Sequence, residues 1–144
     1  MLGLMQDRPL LISSLLTHAE RYHPRSEIIS VTCEGETVRT DWAGIARRAR
    51  KAAQALRRLG VKPGDRVVLV FENCAEVIAF FFGASLLDAS AVAINARLTT
   101  AELDRIFAHS DPSAVMFTAA SSAAARAHAD HYGARDVQGA FGAA

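Results

Sequence analysis

Apolar residues recur at helical spacing in Leu11, Leu15, Leu16, Ala19 and Tyr22, and Pro24 closes the run. The pattern predicts a first helix. Two short segments, Glu27 to Ser30 or Val31 and Thr37 to Arg39, flank Glu34-Gly35-Glu36 and predict a hairpin with a partly exposed edge. The next helix is the clearest, because Trp42, Ile45, Ala46, Ala49, Ala52, Ala53, Leu56 and Leu59 form a single stripe of period 3.6. Thr40 or Asp41 can accept hydrogen bonds from its first free N–H groups, and Gly60 can take the left-handed conformation that closes it.

From Arg66 the rhythm becomes βαβαβ. Arg66 to Phe71 is a β-branched run suited to a strand buried on both faces. Asn73 is placed to cap a helix reaching Leu87, in which Val77, Ile78, Phe80, Phe81, Phe82, Leu86 and Leu87 surround most of the circumference. Ala89 to Ile94 predicts a second strand. Thr99 with Glu102 forms a capping box for a helix bearing Leu103, Ile106 and Phe107, which Asp111-Pro112 stops. Ala114 to Thr118 predicts a third strand. The fold class is therefore α/β: a partial parallel sheet with right-handed βαβαβ crossovers and a short accessory hairpin, a fragment of a larger doubly wound domain.

After Thr118 the texture changes, with 11 alanines in the last 26 residues. Ser122 to Tyr132 suits a helix, and residues 138–144 carry no pattern that buries anything, so fraying is expected there. The expected division is residues 1–118 as the patterned unit and 119–144 as an Ala/Gly-rich tail, helical and then frayed.

Composition adds limits. With 144 residues, 51% hydrophobic and 22% charged, the chain suits one globular domain. A net charge of +1 gives no global reason for a nucleic-acid partner. The longest apolar run, Val77 to Leu87, is shorter than the ~20 residues a membrane span needs. No secretory signal precedes Asp7, so a cytoplasmic location is expected. Charge is uneven, however. The face opposite the Trp42–Leu59 stripe carries Arg47, Arg48, Arg50, Lys51, Arg57 and Arg58. An acidic partner is the sharp reading of that face and a solvated surface is the plain one, which the lack of interleaved aromatic residues favours.

Candidate chemistry is sparse. A phosphate loop needs consecutive glycines and hydroxyl residues so that backbone N–H groups converge on an anion. The chain has no Ser-Gly, Thr-Gly or Gly-Lys pair and no G-x-G-x-x-G. Cys33 and Cys74 have no metal-ligand spacing and read as reduced thiols, Cys74 in the role of a small hydrophobe. His128 and His131 flank Asp130 without a third ligand in sight. Neither a catalytic nor a cofactor-binding nor a metal-ligating residue is assigned.

In combination several segments are specific. Thr40-Asp41-Trp42, Leu59-Gly60-Val61-Lys62-Pro63-Gly64-Asp65-Arg66-Val67, Asn73, and Ile94-Asn95-Ala96-Arg97-Leu98 with Glu102 follow one another in order. This succession resembles the amino-terminal region of the AMP-forming acyl-CoA synthetases, the adenylate-forming ligases, over about Met1 to Thr118. The start is similar to the bacterial subgroup that activates fatty and other medium- to long-chain acids. Asp88 stands where that family usually has glycine, and Ala93 and Ala96 where prolines are common. Tyr132-Gly133 resembles the opening of the family's Tyr-Gly-x-Thr-Glu motif, but Arg135-Asp136 occupy the Thr-Glu places, and a helix end is the reading there.

For a complete enzyme the resemblance implies ATP, Mg²⁺ and coenzyme A: a carboxylic acid is activated as acyl-AMP and then transferred to the thiol. The family's phosphate loop, acyl pocket and catalytic lysine lie beyond this segment. The expectation is thus a truncated amino-terminal fragment without activity of its own. Poor solubility or self-association is expected of such a piece. The alternatives are a standalone interaction module using the basic helix 42–59, or one half of a split ligase that pairs with a complementary ligase chain.

Overall fold

The computed structural model describes residues 3, 7–31, 35–71, 74–95, 97–117, 127, 130 and 135–137. Its centre is β3 (Arg66–Phe71), where Val67 through Phe71 are all buried. β-Branched and aromatic side chains on both faces of one strand need cover on both sides, and alternation divides them. Val67, Leu69 and Phe71 pack with Ala52 and Leu56 of α2 (Trp42–Arg58) and Phe80 and Ala84 of α3 (Ala75–Ser85). Val68 and Val70 face the other way, onto Leu103 and Phe107 of α4 (Thr100–Ser110). The βαβαβ expectation holds: β4 (Ser90–Asn95) and β5 (Ala114–Phe117) pair in parallel on either side of β3.

A fourth strand, β6 (Arg135–Val137), pairs in parallel with β5 and gives the order β4-β3-β5-β6. Nothing in the sequence pattern announces it. Three residues, two of them charged, have no periodicity to read, and the open backbone edge of β5 supplies the partner.

A third layer lies outside α2 and α3. It holds α1 (Ile12–Tyr22) and the antiparallel hairpin of β1 (Glu27–Val31) and β2 (Thr37–Asp41). Leu16 and Ile28 join Ile45, Ala46, Ala49, Ala75 and Phe82 there, so α3 is enclosed on two sides as its all-round apolar pattern requires. The predicted first helix is present as α1, and its apolar residues are buried only in part. Only Leu16 is buried, whereas Leu11 is 50%, Leu15 62% and Tyr22 60% exposed. The apolar arc of this helix is wider than the line along which it meets α2 and α3.

Local signals hold closely. The Asp41 carboxylate accepts from the Gly44 N–H at 2.7 Å at the start of α2, and Gly60 takes φ +84° after its end. α3 begins later than expected, with Cys74 at the N-cap, and it ends at Ser85 rather than Leu87. Asn73 lies outside the described residues, as do Cys33, Glu34, Thr118, His128, His131, the pair Tyr132-Gly133, most of the helix expected over 122–132, and the 138–144 segment. Asp88, at the family's usual glycine position, has φ +55°, a left-handed conformation that glycine adopts freely and aspartate tolerates. Its carbonyl accepts from the Gly64 N–H at 2.9 Å and ties the two turns that flank β3 and β4.

Candidate functional site at the carboxyl edge of the sheet

In open α/β sheets, ligands bind outside the carboxyl ends of the strands, where the strand order reverses. Here the reversal is at β3, with β4 on one side and β5 and β6 on the other. The carboxyl edge therefore presents Phe71, Asn95 and Phe117, the N-terminus of α3 at Cys74, and the turn into α4.

That turn is locally prefolded. The Asn95 Oδ1 atom accepts from the Arg97 N–H at 2.9 Å, and Glu102 Oε2 accepts from both the Thr99 N–H at 2.9 Å and the Thr99 hydroxyl at 2.7 Å. These two Thr99 donors hold the Glu102 carboxyl below the ordinary carboxylate range, the backbone bond first. On α3, burial pushes the Cys74 thiol up. The Glu76 charge adds to this, and the nearby Val77 and Glu76 N–H groups oppose it. Raising the thiol disfavours its thiolate, which suits a packing role rather than a nucleophile.

A phosphate cradle needs an unobstructed run of backbone N–H donors, and a divalent ion needs several oxygen ligands. Among the described residues there is no group of three His, Cys, Asp or Glu side chains that could hold a metal ion. Glu76, the acid nearest the edge on α3, is held by Arg48 at 3.2 Å. Among its described residues the carboxyl edge is a floor formed by the strand ends at Phe71, Asn95 and Phe117.

The basic face of α2 is partly consumed inside the molecule. Arg48 reaches Glu76 of α3, and Arg50 makes a two-armed ion pair with Glu20 of α1. Hydrogen bonding from Arg50 lowers the Glu20 carboxyl and raises the Arg50 guanidinium in turn. Arg47, Lys51, Arg57 and Arg58 are exposed, with no ion pair to a described residue. Sequence reading also missed Arg66. Its Nε donates to the Ser110 carbonyl at 2.6 Å, and its Nη2 to the Asp111 carbonyl at 2.6 Å and carboxylate at 3.0 Å. One arginine at the start of β3 thereby satisfies the end of α4, across more than forty residues, with no local signal to reveal it.

Comparison with known proteins agrees with this architecture. The model of the AMP-binding enzyme family matches residues 15–140, so the match continues through β6 and past the change of texture at Thr118. A 3-methylmercaptopropionyl-CoA ligase of Ruegeria lacuscaerulensis is 40% identical over 119 residues, covering 83% of this chain and 22% of that protein. A medium-chain-fatty-acid–CoA ligase of Ectopseudomonas oleovorans is 34% identical over 116 residues, 81% of this chain and 21% of its own length. The structure of a Mycobacterium tuberculosis fatty acyl CoA synthetase superposes with a TM-score of 0.70 at 32% identity, covering 81% of this chain and 23% of that one. The chain thus spans about a fifth of the length of the curated relatives it matches. On the sequence match and the shared fold together, this chain belongs to the AMP-binding enzyme family and corresponds to the amino-terminal region of its acyl-CoA ligases.

Proposed function

We propose that the chain is the amino-terminal scaffold of an AMP-forming acyl-CoA ligase that activates an aliphatic carboxylic acid, and that it has no ligase activity by itself. The observation that carries this reading is a family-type β4-β3-β5 floor in a chain that spans about a fifth of its relatives' length and has no Ser-Gly, Thr-Gly or Gly-Lys pair in its sequence. Residues 1–118 build the floor, and the 119–144 segment contributes β6 to its edge. An aliphatic acid is the substrate class because the relatives named above are ligases of 3-methylmercaptopropionate and of medium-chain fatty acids. ATP, Mg²⁺ and coenzyme A belong to the complete enzyme.

A cytoplasmic location is proposed from the kinship with acyl-CoA ligases. The interaction-module alternative gains little, since two cations of the α2 face are spent on Glu76 and Glu20.

Two assays test the proposal. The purified 144-residue chain should show no acid-dependent ATP–pyrophosphate exchange with propionate, octanoate or palmitate. A chimera in which this chain replaces the matching 119 residues of the Ruegeria ligase should fold and form 3-methylmercaptopropionyl-CoA. Exchange by the chain alone, or a folded but inactive chimera, would overturn it.

A further inference from the structure

Seven of the chain's 16 Lys/Arg and none of its 15 Asp/Glu fall between Trp42 and Gly64, so the rest of the chain is net acidic. Two of the seven are engaged inside the molecule, Arg48 with Glu76 and Arg50 with Glu20. Arg47, Lys51, Arg57, Arg58 and Lys62 stay exposed, with no ion pair to a described residue.

Helix geometry gathers these cations. At about 100° per residue, Arg47, Lys51 and Arg58 lie within an arc of about 40° and along about 16 Å of the α2 axis, opposite the buried Ala49, Ala52 and Leu56. Gln54 shares their line and is exposed as well. Such a row has neither the apolar centre of a protein–protein contact nor the aromatic platform of a single-strand nucleic-acid site. Covering it with another polypeptide segment would bury charge unless an acid met each cation. Clusters of about four to eight Lys/Arg on a helix are instead the size that anionic lipid headgroups attract.

We propose that the outer face of α2 is a docking surface for an anionic phospholipid membrane. The protein would lie on the membrane and not cross it, since no helix among the described residues is long and apolar enough to span one. The choice of lipid over duplex nucleic acid rests on the ligase reading above, because an aliphatic carboxylic acid partitions into lipid and is met there. The uneven charge also orients the approach: headgroups attract the basic band and repel the net-acidic remainder.

The test is co-sedimentation of the full 144-residue chain with vesicles of phosphatidylcholine containing about one-third phosphatidylglycerol, against phosphatidylcholine alone. Each cation near the anionic surface strengthens partitioning about fivefold. Lys51→Gln with Arg58→Gln should therefore weaken binding at least about tenfold. Arg25→Gln with Arg105→Gln removes the same charge from exposed positions elsewhere and should weaken it less than about threefold. Raising salt from about 0.1 M to about 0.5 M should release the unmodified chain, because screening contracts the field. A thermal melt of each variant checks that it is folded.

Equal binding to the two kinds of vesicle, or equal losses from the two variant pairs, would overturn the inference. Capture of a duplex DNA oligonucleotide without vesicle binding would assign the face to nucleic acid and overturn it likewise. The chimera described above, tested on the same vesicles, separates this inference from the ligase reading. An active chimera that ignores anionic vesicles overturns the docking inference alone, and vesicle binding by a folded, inactive one overturns the ligase reading alone.

Discussion

Adding one methyl group at Gly83 tests how closely α2 and α3 approach. A Cβ at that position would lie 2.6 Å from Ala52 Cβ, 3.1 Å from the Ala49 carbonyl oxygen and 3.3 Å from the Ala53 nitrogen. Carbon atoms rest at about 3.5–4.0 Å, so the overlap with Ala52 is about 1 Å. Two of the three neighbours are backbone, and Ala49 and Ala52 are fully buried, so no side chain can swing aside. The helices must separate, and packing loss of this kind costs about 1–3 kcal/mol. Alanine's better helix propensity returns about 0.8–1 kcal/mol.

Gly83→Ala should therefore destabilise by up to about 2 kcal/mol, a fall in Tm of up to roughly 8 °C at this chain length. Urea and thermal melts followed by circular dichroism at 222 nm measure it, with an unchanged denaturant slope expected. Ala52→Gly alone should cost about 1 kcal/mol, but in the Gly83→Ala background it removes the worst contact. A coupling energy of about 1–2 kcal/mol between the two positions is expected from the double-mutant cycle. If Gly83→Ala is stabilising, or the coupling is zero, the close approach is wrong.

Three further changes probe other links. Asp88→Gly should stabilise by about 0.5–1 kcal/mol in the same melts, because the φ of +55° then carries no Cβ penalty; a loss would mean the aspartate side chain contributes more than the backbone costs. Arg66→Met should destabilise by about 1–2 kcal/mol, since it strips three hydrogen bonds from the end of α4, and hydrogen exchange should rise in residues 107–111 before it rises in β3. Glu20→Gln should cost at most about 1 kcal/mol at pH 7 and less in high salt, because the pair is part-exposed. The Glu20 carboxyl is lowered by its hydrogen bonds to Arg50, so its contribution is complete above the ordinary glutamate value of about 4.3 and lost as pH falls through the depressed folded value. The acid limb of the pH–stability curve should flatten in the variant, and an unaltered limb would show that the pair contributes nothing.

Much of the scaffold was legible in the chain because it is local. The stripe from Trp42 to Leu56 needs only period 3.6, the closure at Gly60 only a residue free to take positive φ, and the Thr99–Glu102 box only a three-residue spacing. β3 identifies itself by five consecutive buried positions. The family, too, was readable from ordered segments such as Lys62-Pro63-Gly64-Asp65, which are demands of turn and strand rather than of catalysis. The candidate site was legible chiefly as a floor, since its Asn95 and Arg97 fold the turn and carry no reacting group.

The sequence by itself determined which segments up to β5 become helix or strand, where apolar residues recur along them, and which family the succession belongs to. Only the tertiary structure decided how much of each face is used. It buries Leu16 and leaves Leu11 and Leu15 exposed, spends Arg48 and Arg50 on acids of other elements, and sends Arg66 across the sheet to close α4. It also adds β6 to an edge whose backbone, not its side chains, makes the bond. The physical reason is the same in each case. Periodicity states what a surface is made of, whereas neighbours separated by tens of residues decide what that surface meets.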